Sequence, residues 1–113
     1  MYFRYNNHMN HNKLVRDRIP EIIRKEGKEA EVIVLNDEQY LVELKAKLIE
    51  EATEVSMCKK REEILAELAD VREVMDALMQ AYEINPMEVS TIQALKAIKR
   101  GKFEKKYYLK EVK

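Results

Sequence analysis

Two apolar stripes at helical spacing, separated by only a few polar residues, constrain this chain more than any other feature. The first is Leu41, Leu44, Leu48, Ala52 and Val55; the second is Ile64, Leu68, Val71, Met75, Leu78 and Tyr82. Recurrence at three- and four-residue intervals marks each as one face of an amphipathic helix. The link around Lys59 and Lys60 leaves room for little but a fold-back, which makes the pair an antiparallel helical hairpin. Asn36 followed by Gln39 has the pattern of a capping box at the first helix start. The two helices are expected at about residues 37–58 and 61–82.

The flanking punctuation supplies the remaining elements. Asn85-Pro86-Met87-Glu88 combines a cap residue, a first-turn proline and a glutamate placed to bond back. The third helix it starts carries Val89, Ile92, Leu95 and Ile98 and stops at Gly101. Upstream, Pro20 suits the first turn of a short helix running to about Glu26, with Gly27 as its stop. Residues 31–35, EVIVL, read as a short β-branched strand. The tail, with Tyr107, Tyr108, Leu109 and Val112, is its expected partner in a small two-stranded β ribbon. The fold class is mainly α: a bundle of two long antiparallel helices plus a third. Dimerisation is expected to complete it, because the stripes exceed what a 13.4 kDa monomer can cover. Residues 1–11 read as a flexible N-terminal extension, with Met9 an alternative start, and 12–113 as one domain. His8 and His11, three apart on that arm, are weak ligand candidates.

Composition narrows the function classes. Charged residues make up 37% of the chain, balanced 21 against 21. That excludes the basic excess of a nucleic-acid binder or a polybasic membrane patch. No apolar run approaches the roughly 18 residues of a membrane span. The single cysteine, Cys58, leaves no intramolecular disulfide and fits a reducing, cytoplasmic setting.

Four carboxylates are placed unusually for such a chain. Glu51 and Glu54 stand three apart on the first long helix, Glu67 and Asp70 three apart on the second. Glu51 lies three after Leu48 and four before Val55; Glu67 lies three after Ile64 and four before Val71. At about 100° per residue, Glu51 and Glu67 sit roughly 60° from their stripe centres, and Glu54 and Asp70 roughly 120° on the same side. A fold-back near Lys59 brings all four within roughly two helical turns of one another. Two readings compete. Either the acids pair with Lys and Arg on a solvated face, as Glu50, Glu62, Glu63 and Glu73 are expected to, or they share a hard divalent cation. A buried group of unpaired carboxylates would otherwise be driven to its neutral form, and an all-oxygen donor set favours Mg²⁺ or Mn²⁺ over Zn²⁺.

The blocks around these acids resemble a known family. Glu51-Ala-Thr-Glu54 and Glu67-Leu-Ala-Asp70 are similar to the E-x-x-E and E-x-x-D signature of the MazG-like, all-α nucleoside triphosphate pyrophosphohydrolases. Asn12-Lys13-Leu14-Val15-Arg16-Asp17-Arg18-Ile19-Pro20 resembles the N-KLVRDxIP opening of a small, phosphoribosyl-ATP pyrophosphohydrolase-like subgroup. Lys47-Leu48-Ile49-Glu50-Glu51 resembles its central block, and Arg100-Gly101-Lys102-Phe103 with Leu109 its ending. The likeness runs over about residues 12–112. It implies a dimeric helical bundle with Mg²⁺ (or Mn²⁺) held by Glu51, Glu54, Glu67 and Asp70. It also implies cleavage of a nucleoside triphosphate to monophosphate and pyrophosphate, in the removal of unwanted nucleotides.

Within that implication, in-line attack of water at the α-phosphorus needs positioning and charge neutralisation. Glu50 and Glu54 are the candidate proton acceptors. Lys13, Arg16, Arg18 and Arg100, with Lys99 beside the last, are the candidate phosphate ligands, against a plain reading as surface charge. Asp17 can orient Arg16, and Phe103, Tyr107 and Tyr108 can stack on a base or pack in the core. Phosphoribosyl-ATP is the alternative substrate. A non-catalytic helical dimerisation or protein-binding module is the alternative class.

Overall fold

The computed structural model describes residues 12–113; the expected extension at 1–11, with His8 and His11, lies outside the described residues. Four helices follow in order: α1 (Ile19–Lys25), α2 (Asp37–Met57), α3 (Arg61–Ala81) and α4 (Pro86–Arg100). α2 and α4 each begin at a capping box. At α2 the Asn36 side chain accepts from the Gln39 N–H at 2.8 Å, and the Asn36 N–H donates to the Gln39 side chain at 3.2 Å. At α4 the Asn85 N–H donates to Glu88 Oε2 at 2.8 Å, and the Asn85 carbonyl oxygen of the side chain accepts from the Met87 N–H at 2.9 Å. Gly27 and Gly101 stop α1 and α4 at φ of 81° and 82°, a region that side chains with a Cβ rarely enter.

The architecture is an α2–α3 hairpin, and no other pair of helices packs to a comparable extent. Along it, Leu44, Leu48 and Val55 on α2 and Ile64, Glu67, Val71 and Val74 on α3 are buried or half-buried. Leu44 is 2% exposed and Val74 is buried. This differs from the expected α3 stripe: Leu68, Met75 and Tyr82 are exposed, while Glu67 and Val74 occupy the packed face. α3 is apolar over a wide arc, so sequence offers two adjacent stripes, and the hairpin uses the one containing Glu67. Glu67 is therefore at the centre of the contact, not on its shoulder. On α2, Ala52 is likewise exposed.

The uncovered arc forms a second apolar face. Lys45 lies over the Tyr82 ring, 5.4 Å from its centroid, so these two residues mark one side of the hairpin. Val42 and Ile49, three and four residues from Lys45, share that side with Met75 and Leu68, one and two heptads from Tyr82. All four are exposed. The Cα radius of gyration, 17.9 Å, exceeds the roughly 13 Å of a compact domain of this size. Among the described residues there is no strand. Val34 is fully open, and residues 103–112 are exposed throughout, so the expected ribbon is not formed within this chain. Two lone strands lack stability without a surface to pack on, and neither segment meets one here. Among the described residues no helix is long and apolar enough to cross a membrane.

Leu44→Ala is expected to destabilise the chain by about 3 kcal/mol, read from urea unfolding at fixed protein concentration. A loss below about 1 kcal/mol would mean that the α2–α3 seam is not the core.

Candidate metal centre

The hairpin brings an acid from the second half of α2 level with two acids from the first half of α3. Glu51, Glu67 and Asp70 each present a donor oxygen, and these oxygens lie within 4.8 Å of one another. Glu67 is only 4% exposed, an unusual burial for a carboxyl group. Burial first, then the hydrogen bond with Glu51 and the charges of Glu51, Asp70 and Glu54, push the Glu67 carboxyl up to about 7. Glu51 is raised as well, by burial and by the Asp70 charge, while Lys47 and the Glu67 hydrogen bond oppose the rise. The Glu67 hydroxyl thus donates to Glu51, and one shared proton relieves the repulsion between them.

Cations close the site from two directions. Arg16 Nη2 donates to Asp70 Oδ1 at 2.6 Å, and Lys13 Nζ donates to Glu50 Oε1 at 3.1 Å. The segment before α1 is thereby tied to α3 and α2 together, with Ile19 buried just after it. Lys47, one turn before the acids, reaches Glu50 Oε2 at 3.0 Å and Glu51 Oε1 at 3.8 Å. Glu50 stands beside the cluster. Its partial burial pushes its pKa up, but the hydrogen bonds from Lys47 and Lys13 outweigh that and hold it below the usual carboxylate range.

The sequence candidates therefore separate. Glu51, Glu67 and Asp70 come together, and Lys13, Arg16 and Glu50 border them. Glu54 falls outside the 4.8 Å group but near enough for its charge to raise Glu67. Arg18 pairs with Glu21 within its own helix turn, at 3.3 Å. Asp17, expected to orient Arg16, forms no ion pair among the described residues, and Arg16 is turned to Asp70. Arg100, in the last turn of α4, is exposed and forms no ion pair among the described residues. Phe103, Tyr107 and Tyr108 are exposed and contribute nothing to a core within this chain. Lys47 is the residue that periodicity did not single out. Its signal was the i, i+3 and i, i+4 spacing to Glu50 and Glu51.

The donor set fits a hard divalent cation. It is all carboxylate, convergent, and carries one proton that a cation would displace. Among known proteins, a protein described as uncharacterized from Mycolicibacterium smegmatis is 43% identical over 53 residues, 47% of this chain and 54% of that protein. The chain spans about half the length of this curated relative. No protein-family model matches the chain, and no solved structure matches it.

The raised Glu67 carboxyl makes stability depend on pH. An unfolded glutamate titrates near 4.5 and the folded one near 7, so the folded state holds the extra proton between those values. The contribution is complete below about pH 4.5 and is lost as pH rises through about 7. Without divalent cations, Glu67→Gln is therefore expected to melt above the wild type at pH 8 and close to it at pH 4.5. Equal gaps at both pH values would refute the shared proton.

Proposed function

We propose that the chain is a divalent-cation-dependent nucleoside triphosphate pyrophosphohydrolase. The reading is carried by one observation: Glu51 of the E-x-x-E block and both acids of the E-x-x-D block converge in the hairpin, and the KLVRD block lies against that same cluster. Three blocks far apart in sequence meet at one place. The same residues that carry the family resemblance are those with unusual burial and charge.

Glu51, Glu67 and Asp70 would hold the cation, with Glu54 one turn further on α2. Bound there, Mg²⁺ or Mn²⁺ supplies charge neutralisation for the triphosphate and lowers the pKa of a water. The chain's own residues do the rest. Arg16 and Lys13, resting on Asp70 and Glu50 in the substrate-free protein, take phosphate oxygens and hold the α-phosphorus in line for attack. Lys47 keeps Glu51 and Glu50 apart from each other's charge. The lowered pKa of Glu50 makes it a weak proton acceptor, which favours Glu54 for taking the proton from the attacking water. The products are a nucleoside monophosphate and pyrophosphate.

The working form in this reading is a homodimer. The bare face carrying Val42, Ile49, Leu68 and Met75 lies on the hairpin, and a second hairpin would cover it and complete a four-helix core. Isolated apolar residues on a surface are ordinary, whereas a stripe of them along two packed helices supports an interface there.

With Mg²⁺ and a panel of nucleoside triphosphates, release of pyrophosphate and no free phosphate is expected. Phosphate release alone would exclude the reaction. Glu51→Gln and Asp70→Asn should each lower turnover by roughly 100-fold or more with far-UV circular dichroism unchanged. Turnover at the wild-type rate in either would remove these residues from the site. Sedimentation at micromolar concentration should show a dimer, and a monomer would contradict the four-helix arrangement.

A further inference from the structure

Among the described residues, one cation reaches a donor acid of the cluster from outside the hairpin. Lys47 belongs to α2, three and four residues before Glu50 and Glu51, and its side chain is 17% exposed, so it stays with its own helix. Lys13 rests on Glu50, which is not one of the three converging donors. Arg16 differs from both. Its Nη2 donates to Oδ1 of Asp70, one of those three, and its side chain is 43% exposed against 23% for Asp70. An ion pair this open to water is held weakly and is readily exchanged for another partner.

The backbone around Arg16 does not share that freedom. The Ile19 N–H donates to the Arg16 carbonyl at 3.0 Å, and the Ile22 N–H to the Arg18 carbonyl at 3.0 Å, which ties this stretch to the start of α1. Ile19 is buried on one side of Arg16, and Lys13 holds Glu50 on the other. The Arg16 side chain is therefore the part that can turn. Its present partner is also in demand. A Mg²⁺ ion lies about 2.1 Å from its ligand oxygens, and Arg16 Nη2 lies 2.6 Å from Asp70 Oδ1. Two positive charges on one carboxylate repel, and a partly buried site screens them less than open water does.

We infer that Arg16 and a divalent cation compete for Asp70, so that the Arg16 side chain leaves Asp70 on cation loading and becomes free for a phosphate group. The inference rests on the cation site proposed above and adds an order of events to it. Before loading, the arginine intended for phosphate is engaged by Asp70; after loading, it is available. Cation and phosphate then favour each other's binding through a single side chain, and the coupling is reciprocal.

The test measures Mn²⁺ binding by electron paramagnetic resonance at pH 8 on the full chain as wild type, Arg16→Gln and Arg16→Lys. Far-UV circular dichroism checks that each is folded. Competition predicts that Arg16→Gln binds Mn²⁺ roughly fivefold more tightly than the wild type, or better. Arg16→Lys keeps the charge and should stay within about twofold of the wild type. An arginine that only braces Asp70 for the cation gives the opposite result, weaker binding by Arg16→Gln. That result, or equal affinity, overturns the inference while the cation site stands. A second measurement needs no altered ligand sphere: the Arg16 side-chain N–H signals of ¹⁵N-labelled wild type are followed by NMR as Mg²⁺ is added. Release predicts that they lose their ordered, hydrogen-bonded character at saturation, and an Arg16 still held on Asp70 there overturns the inference. A wild type that binds no Mn²⁺ defeats the cation site itself, and the competition with it.

Discussion

A carboxyl group placed in the middle of a helix–helix seam sets the terms for the rest of this structure. Glu67 takes the position where Leu or Val would ordinarily pack, opposite Glu51 and between Ile64 and Val71. An uncompensated charge there is far costlier than the packing it displaces is worth. The chain answers with a shared proton between Glu67 and Glu51, Lys47 alongside Glu51, and Arg16 on Asp70. The compensations come from α2 and from the stretch before α1, so the acid cluster also explains why that stretch is drawn onto the hairpin. Two sides of the hairpin then differ in kind. One is polar, occupied by the acids and the cations that answer them; the other is apolar and bare.

Much of this was readable from residues. Cap signals at Asn36 and Asn85 and the glycine stops at Gly27 and Gly101 place the helix ends within about a turn, because those interactions are local. The meeting of Glu51 with Glu67 and Asp70 follows from a short link and a helix rise, both fixed by sequence. The rotation of α3 did not follow. Ile64, Leu68, Val71 and Met75 compose a plausible stripe, and so do Ile64, Val71, Val74 and Leu78; which one faces α2 is settled by packing across the seam. Choosing the first puts Glu67 on a shoulder, whereas the structure buries it. That difference changes its chemistry from an adjustable surface acid to a group forced to hold a proton or meet a cation. The β ribbon failed for a related reason. Val32, Ile33 and Val34 have strand-like composition, but strand pairing depends on a covering surface that composition does not report.

The division between the two sides of the hairpin suits a catalyst of the proposed kind. A cation site needs preorganised donors on rigid elements, and two mutually packed helices supply them better than loops do. Lys13 and Arg16, by contrast, reach Glu50 and Asp70 from a segment with little regular structure, where side chains can change partners without disturbing the core.

The central claim is that Glu67 is buried to hold a divalent cation. The most direct test is Mn²⁺ binding followed by electron paramagnetic resonance at pH 8, on the wild type and on Glu67→Gln. The account predicts saturable binding to the wild type that weakens as pH falls through about 7, and its loss in the variant. Equal binding by both proteins, or none by the wild type, would contradict it.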